Sequence, residues 1–195
     1  MTRLRATAGL VALAAAAVVL IVGVGVGGGQ SGHRRTPAPF AWLHPASTPT
    51  GWAEARIAGG ATLAYPPGWR AIKTDPGTAS VALLGRGGRI DGFLNATPKQ
   101  GKETLANWSR FRPAHNLGEG DKSVRLIASA RGLKFRAGRG SCVIDTYTTS
   151  KASYREIACL ASGRRSTAVI VAAAPVELWN QQAATLRRAV SSFGT

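Results

Sequence analysis

The two cysteines are the residues whose type and spacing indicate the clearest chemistry. Two cysteines in an exported domain more often form a disulfide than two free thiols. If Ser150 and Lys151 form a tight turn between two strands, Cys142 lies opposite Cys159. Opposed residues have Cβ atoms about 4.5–5.5 Å apart, close enough for a bond after a small adjustment. We therefore predict a Cys142–Cys159 disulfide, because neither a C-x-x-C motif nor a nearby histidine favours a redox or metal site.

The same register places two carboxylates opposite each other. Asp145 would face Glu156, which argues against the register because like charges opposed across strands are destabilising, although Arg155 lies close by. A carboxylate pair can also act as general acid and base in hydrolysis. Because neighbouring strands bring unlike residues together throughout proteins, we interpret this pair as structural.

The histidines offer one further candidate for catalysis. His33 and His44 fall in a linker, so only His115 can belong to a folded site. A triad would require a serine and a carboxylate beside it, and the chain has no G-x-S-x-G elbow. We predict no catalytic residue, metal ligand or cofactor, and a non-enzymatic protein; a hydrolase with a dispersed site near His115 is the alternative.

The charge of the chain is strongly positive, with 25 Lys and Arg against 9 Asp and Glu and a pI near 11.5. Such a surface attracts anionic lipid, cell-wall polymer or nucleic acid. The basic residues are scattered along the sequence and form no recognisable nucleic-acid module, so we expect no nucleic-acid partner. Glycine-rich stretches at Gly85–Gly88 and Gly138–Gly140 fit no phosphate-binding motif, and we interpret both as hairpin loops.

The first residues are typical of an export or anchoring signal. Residues 1–5 are basic, and residues 6–26 are almost wholly apolar. As a helix, the apolar segment would span roughly 31 Å, which matches a bilayer core. We predict a transmembrane anchor in a single-pass cell-membrane protein, with a cleaved signal and secretion as the alternative.

The rest of the chain divides into a linker and one domain. Residues 27–51 are rich in glycine and proline and predict a linker. Within it, Phe40 and Trp42 either reach the lipid headgroups or pack on the domain. Residues 52–195 have the size of one domain with its own core, which the disulfide indicates lies outside the cytoplasm.

Strand patterns dominate this domain, and helices are few. We predict a helix over Glu103–Phe111 that Pro113 stops, and a last helix that Pro175 opens, with an apolar stripe from Trp179 to Phe193. The pattern indicates an α+β fold in which helices cover an antiparallel sheet. The predicted strands are Gly59–Tyr65, Ser80–Leu84, Ile90–Ala96, Val124–Ala130, Cys142–Thr149, Ser153–Ala161 and Thr167–Ala174.

Two short motifs resemble the PsbP family, whose fold is shared with Ran-binding Mog-type proteins and bacterial surface lipoproteins. The segment Tyr65-Pro66-Pro67-Gly68-Trp69 is similar to the Y-P-x-G-W turn of that family, and the run from Leu186 to Phe193 is similar to its closing helix. The resemblance covers residues 52–195 and implies an α/β/α sandwich in a divergent, membrane-anchored member. It implies binding or assembly and no reaction. We expect a membrane-tethered extracytoplasmic module whose partner is an envelope protein or an anionic polymer or lipid.

Overall fold

The computed structural model describes residues 36–136 and 138–195. The predicted basic region and anchor, residues 1–5 and 6–26, lie outside the described residues. In the part of the chain that is described, none of the helices has both the length and the apolar character to cross a bilayer.

The described residues form nine strands, seven of which make one antiparallel sheet. The order of strands in that sheet is β3-β4-β5-β9-β8-β7-β6, and β1 and β2 pair with each other beside it. All seven predicted strands are present, and β1 and β3 are two short additions. The strands are β1 (Ala53–Arg56), β2 (Thr62–Tyr65), β3 (Arg70–Ala71), β4 (Ala79–Leu84), β5 (Ile90–Pro98), β6 (Lys122–Phe135), β7 (Gly138–Thr148), β8 (Ser153–Gly163) and β9 (Thr167–Pro175).

The centre of the sheet is buried on both faces. In β9, Val169, Ile170 and Val171 are all buried, although neighbouring residues point to opposite faces. A run of β-branched and alanine residues suits this position because neither face meets water. The sheet therefore needs a cover on each side.

Two helices provide these covers on opposite faces, as predicted. Helix α2 (Trp179–Ser192) buries Trp179, Ala183, Leu186 and Val190 against one face, which we call the α2 face. Helix α1 (Trp108–Gly118) packs over β6 and β7 on the other, the α1 face. The antiparallel sheet flanked by helices confirms the predicted fold class.

The predicted bounds of both helices are wrong in detail. Pro113 does not stop α1 but lies inside it, and the helix begins later than expected, at Trp108. The preceding residues are held in turns because Asn107 Oδ1 accepts a hydrogen bond from the Thr104 amide and Glu103 Oε1 one from the Gln100 amide. Such side-chain bonds compete with helix formation.

Pro175 does not open α2. It ends β9 in an extended conformation, and a single 3₁₀ turn, Val176–Leu178, precedes the helix. The prediction failed because a proline is equally suited to the end of a strand and to the first turn of a helix. The apolar stripe, in contrast, is placed as predicted.

The core on the α2 face also includes residues that precede the predicted domain. Phe40 is fully buried and Leu43 is nearly so, and Trp42 packs against the same core. Ala46 donates a backbone hydrogen bond to Ser191 at the end of α2. Part of the segment 27–51, which the composition indicates as a linker, is therefore packed on the domain through the ring of Phe40.

Candidate functional site

The hairpin of β7 and β8 has the register that the sequence predicts. Cys142 pairs with Cys159, Ile144 with Ile157, and Asp145 with Glu156. The Cα atoms of the two cysteines are 4.1 Å apart, and their sulfur atoms form the predicted disulfide within the core of the α2 face. The disulfide is confirmed.

Asp145 and Glu156 face each other on the α1 face, and both side chains are completely buried. The charge of Glu156 is matched by Arg112 of α1, whose Nε donates to Oε1 at 2.7 Å and whose Nη2 donates to Oε2 at 2.9 Å. Asn116, one turn further along α1, also donates to Oε1 at 3.4 Å. The unfavourable pair therefore does not exclude the register, because a bidentate arginine from another element compensates one of the two carboxylates.

Arg155, the residue that the sequence places near this pair, has a different role. Its guanidinium lies 5.0 Å from the centroid of the Trp179 ring, in a cation–π contact. Successive residues of a strand point to opposite faces, so Arg155 points to the α2 face and cannot reach Asp145 on the α1 face. The sequence prediction missed Arg112 because it ended the first helix at the preceding residue.

The buried pair holds one proton more than ordinary carboxylates would. Burial, together with the facing charge of Glu156, raises the pKa of Asp145 to about 8. Burial alone would lower the pKa of Arg112, but the charge of Glu156 and the hydrogen bonds to it raise that pKa above its usual value. With Asp145 protonated, Arg112 and Glu156 form a neutral pair, which is the arrangement that a buried site tolerates best.

Two further groups around the pair respond to the same environment. Burial and then the charge of Glu156 raise the pKa of Tyr147, two residues beyond Asp145 on β7. The same two causes raise the pKa of Asp121, which precedes β6. In the described part of the chain, no three acidic, histidine or cysteine side chains converge as a metal site would require.

His115 lies outside this buried cluster. Its side chain is 45% exposed, its ring stacks on Phe111, and its Nε2 is 4.0 Å from Glu119 Oε1. Within the described residues it has no hydrogen bond to a serine or an aspartate. Among the described residues, the geometry that a hydrolase centred on His115 requires is not formed.

A cleft of about 320 Å³ opens on the α1 face, at the end of the sheet where the β7–β8 turn lies. Its lining is mainly apolar and includes Phe93 of β5, Ala173 of β9 and Tyr154 of β8. Ala173 pairs with Glu156 on one side and with Phe93 on the other. The cleft is therefore adjacent to the buried carboxylate pair.

The opposite end of the sheet carries the turns between β6 and β7 and between β8 and β9, and we call it the basic end. Lys99 is placed there because its amide bonds to Thr167 at the start of β9. Eight basic side chains gather at this end, all exposed and none in a salt bridge within the described residues. They are Lys99, Lys102, Arg131, Lys134, Arg136, Arg139, Arg164 and Arg165.

Acidic residues are concentrated away from the basic end. Glu103 and Asp75 are exceptions. Glu103 is buried and accepts a backbone hydrogen bond through Oε1, and Asp75 lies in the turn before β4, whose first residue pairs with Ala96 near the end of β5. Six of the nine acidic residues of the chain lie toward the β7–β8 turn, namely Asp91, Glu119, Asp121, Asp145, Glu156 and Glu177. The domain is thus electrically polar along the strand direction.

Comparison with known proteins identifies the fold. The described fold is similar to the solution structure of cyanobacterial PsbP (CyanoP) from Synechocystis sp. PCC 6803, with a TM-score of 0.55, 16% identity, and coverage of 74% of this chain and 92% of that chain. The chain has a PsbP-like fold. No protein-family model and no curated protein sequence matches it.

Two further solved structures share less with this PsbP-like domain. A protein of unknown function, PA94 from Pseudomonas aeruginosa, a putative regulator by its description, aligns with a TM-score of 0.43 at 8% identity over 74% of this chain and 96% of its own. LpqN, involved in cell envelope biogenesis of Mycobacterium tuberculosis, aligns with a TM-score of 0.41 at 10% identity over 74% and 91%. Similarity at this level carries no functional conclusion.

The motif residues behind the resemblance have structural roles in the PsbP-like domain. Tyr65 ends β2, Pro66 and Pro67 enter the turn, and Gly68 has φ +83°, which a side chain rarely adopts. Trp69 is buried against Gly92 of β5, where an added Cβ would meet the indole ring at 2.7 Å. Phe193, at the end of α2, is also fully buried.

The two glycine-rich stretches differ from each other in structure. Gly85–Gly88 forms the turn between β4 and β5, as interpreted from the sequence. Gly138–Gly140 is not a loop but the first part of β7. A side chain at Gly140 would collide with the Phe135 ring, and one at Gly138 with the backbone of β8, so close packing explains both glycines.

Proposed function

We propose that this chain is a non-enzymatic binding module, tethered to the membrane outside the cytoplasm, whose basic end holds an anionic polymer or lipid of the cell envelope. The observation that carries the proposal is the gathering of eight exposed basic side chains at one end of the sheet, none of which is in a salt bridge with another described residue. The apolar segment 6–26 supports the proposed membrane tether, and the disulfide supports the proposed extracytoplasmic location.

The chain connectivity explains how scattered residues become one surface. Lys99 follows β5, Lys134 lies near the end of β6, Arg139 is at the start of β7, and Arg164 is in the β8–β9 turn. In an antiparallel sheet, alternate turns meet at the same end, so residues far apart in sequence become neighbours. Lys134 and Arg139 are directly paired.

Charge density is the property that suits this end to an anionic surface. The Debye length is about 8 Å at physiological ionic strength, so basic groups within one end of a domain act together on a nearby polyanion. An isolated lysine or arginine would be largely screened. The concentration of acidic groups toward the other end would orient the domain with its basic end toward the anion.

Binding can be measured with the full chain in phosphatidylcholine nanodiscs. The polymer probe is a fluorescently labelled polyphosphate, with neutral dextran of similar size as the comparison. The lipid probe is a phosphatidylglycerol vesicle, with a phosphatidylcholine vesicle as the comparison. We expect one anionic probe of the two to bind, and to lose at least tenfold in affinity between about 50 and about 500 mM NaCl. Binding that ignores ionic strength would contradict the proposal.

A matched pair of variants separates the basic end from net charge. Arg164→Glu with Arg165→Glu reverses two charges at the basic end, and we expect at least a roughly fivefold loss of affinity. Arg70→Glu with Arg86→Glu changes the net charge by the same amount at exposed positions away from that end, and we expect less than a twofold effect. Equal losses in both pairs would mean that overall charge, and not the basic end, attracts the probe.

The compartment requires its own test. Non-reducing peptide mapping of the protein purified from cells should recover Cys142 and Cys159 as one linked peptide pair. A free Cys142 thiol in the mature protein would remove the support for the extracytoplasmic side, whatever the basic end binds.

A further inference from the structure

The cleft on the α1 face lies at the end of the sheet opposite the basic end and is independent of the function proposed above. At about 320 Å³, it is at the lower limit of the volumes that accommodate small molecules. Its walls and floor come from three neighbouring strands, β5, β9 and β8. Sites for small molecules are typically apolar clefts of this kind that contain a few polar groups.

The two walls of the cleft are aromatic and stand on strands that are not neighbours. Phe93 rises from β5 and Tyr154 from β8, with β9 between them. Phe93 pairs with Ala173, whereas Tyr154 pairs with Pro175, two residues further along β9. Because neighbouring strands are about 4.8 Å apart and successive residues rise about 3.3 Å, the bases of the two walls are separated by roughly 12 Å. Ala173 of β9 forms the floor, and its single methyl group leaves the space between the walls open.

This spacing fits a flat ring. A ring inserted midway between Phe93 and Tyr154 would have its centroid roughly 6 Å from each wall, within the range of about 4.5–7 Å that aromatic pairs adopt. Tyr147 stacks on Tyr154 from β7, with ring centroids 5.8 Å apart. The stacked tyrosines support that wall from behind, so it is organised before a ligand arrives.

The charge at the rim indicates which polar group the ring carries. Of the residues that line the cleft in the described part of the chain, Lys151 alone bears a charge, and it is exposed at the β7–β8 turn. Thr149 and Ser150, which also line the cleft, place hydroxyl groups beside it. A carboxylate or sulfonate on the ring would be held at this rim by charge and hydrogen bonds.

We propose that the cleft between Phe93 and Tyr154 binds a small planar aromatic molecule that carries an acidic group, with the ring above Ala173 and the acid at Lys151. The contacts are non-covalent. The ligand class differs from the polymer or lipid proposed for the basic end, so the two sites can be tested separately.

The test uses the full chain in phosphatidylcholine nanodiscs and isothermal titration calorimetry, with empty nanodiscs subtracted. The probe is 2-naphthoate, and we expect a Kd of about 1 mM or tighter. Decalin-2-carboxylate has the same acid on a saturated ring system, and 2-naphthylmethylammonium has the same ring with a positive charge. Each should bind at least roughly fivefold more weakly than 2-naphthoate, because the first loses the stacking and the second loses the charge match.

Variants assign the binding to this cleft. Ala173→Leu fills the floor and should weaken naphthoate binding at least roughly tenfold. Tyr154→Leu keeps an apolar wall but removes its ring, so it should weaken the binding of naphthoate and leave the affinity for decalin-2-carboxylate nearly unchanged. Lys151→Glu should weaken naphthoate binding, whereas Lys73→Glu, the same change at an exposed site outside the cleft, should not.

Three results would overturn the proposal. One is the absence of naphthoate binding at about 10 mM. Another is equal affinity for naphthoate and its saturated analogue. The third is unchanged binding in a folded Ala173→Leu protein; if this variant fails to fold, unchanged binding by Tyr154→Leu has the same consequence.

Discussion

Replacing Asp145 with asparagine should remove a pH-dependent loss of stability from this domain. In the described residues, neither carboxylate oxygen of Asp145 accepts a hydrogen bond, and the side chain is completely buried. The ionised form is therefore poorly solvated, whereas the protonated form can donate to the facing Glu156. Asparagine has almost the same shape, stays neutral at every pH, and can donate to Glu156 in the same way.

The magnitude follows from the two pKa values of Asp145. The pKa is about 8 in the folded protein, against an ordinary value of 3.8. Between these values the unfolded chain has lost the proton that the folded chain keeps. The free energy of unfolding therefore falls by about 1.4 kcal/mol per pH unit. The contribution is fully present below about pH 4 and is lost as the pH rises through about 8, which makes about 4 kcal/mol between pH 5 and 8.

The assay compares wild type and Asp145→Asn by urea denaturation at pH 5, 6, 7 and 8, with the full chain in detergent micelles and the disulfide intact. Trp108, buried on the same face, provides the fluorescence signal. We expect the stability of the variant relative to wild type to increase by up to about 4 kcal/mol from pH 5 to pH 8. Asp75→Asn, at an exposed carboxylate in the turn before β4, should show no such trend.

A flat difference would refute this reasoning. If the stabilities of wild type and Asp145→Asn differ by the same amount, within about 0.5 kcal/mol, from pH 5 to pH 8, Asp145 does not hold a proton in the folded state. The titration belongs to the pair of facing carboxyl groups, so a pH trend that disappears only when Glu156 is replaced would also contradict the assignment to Asp145.

Three further perturbations test the packing around the candidate sites. Arg112→Leu leaves Glu156 buried without its partner and should lower the free energy of unfolding by about 3–5 kcal/mol, most of which Arg112→Leu with Glu156→Leu should restore in urea denaturation. Replacing Cys142 and Cys159 with alanine should lower the free energy of unfolding by at most about 3 kcal/mol, since strand pairing already closes the loop. A larger loss of that free energy in urea denaturation would contradict this limit. Phe40→Ala should cost about 3–5 kcal/mol and expose the preceding segment to limited proteolysis, whereas an unchanged melting temperature would show that the segment does not contribute to the core.

The β7–β8 hairpin could be predicted from the sequence almost completely. A tight turn at Ser150 and Lys151 determines which residues face each other, so it places Cys142 opposite Cys159 and Asp145 opposite Glu156. Pairing in a hairpin is a local property, because the turn alone determines the register. The apolar stripe of α2 was predictable for the same reason, since its period is contained within the segment.

The partner of the buried carboxylates could not be predicted in this way. Arg112 and Glu156 are 44 positions apart and meet only because α1 packs over this part of the sheet. The sequence signal at Pro113 indicated the end of the helix near Arg112, which concealed the arginine's role. A helix that tolerates a proline, because its neighbours hold it against the sheet, is a tertiary effect.

The two candidate binding surfaces show the same contrast between what the sequence determined and what the tertiary structure decided. The sequence by itself determined the excess of basic residues, the disulfide, the strands and the resemblance to the PsbP family. Only the tertiary structure decided that eight basic residues share one end of the sheet and that Phe93, Ala173 and Tyr154 form one cleft. Strand order is set by how distant segments pair, and local patterns record which residues form a strand but not which strands become neighbours.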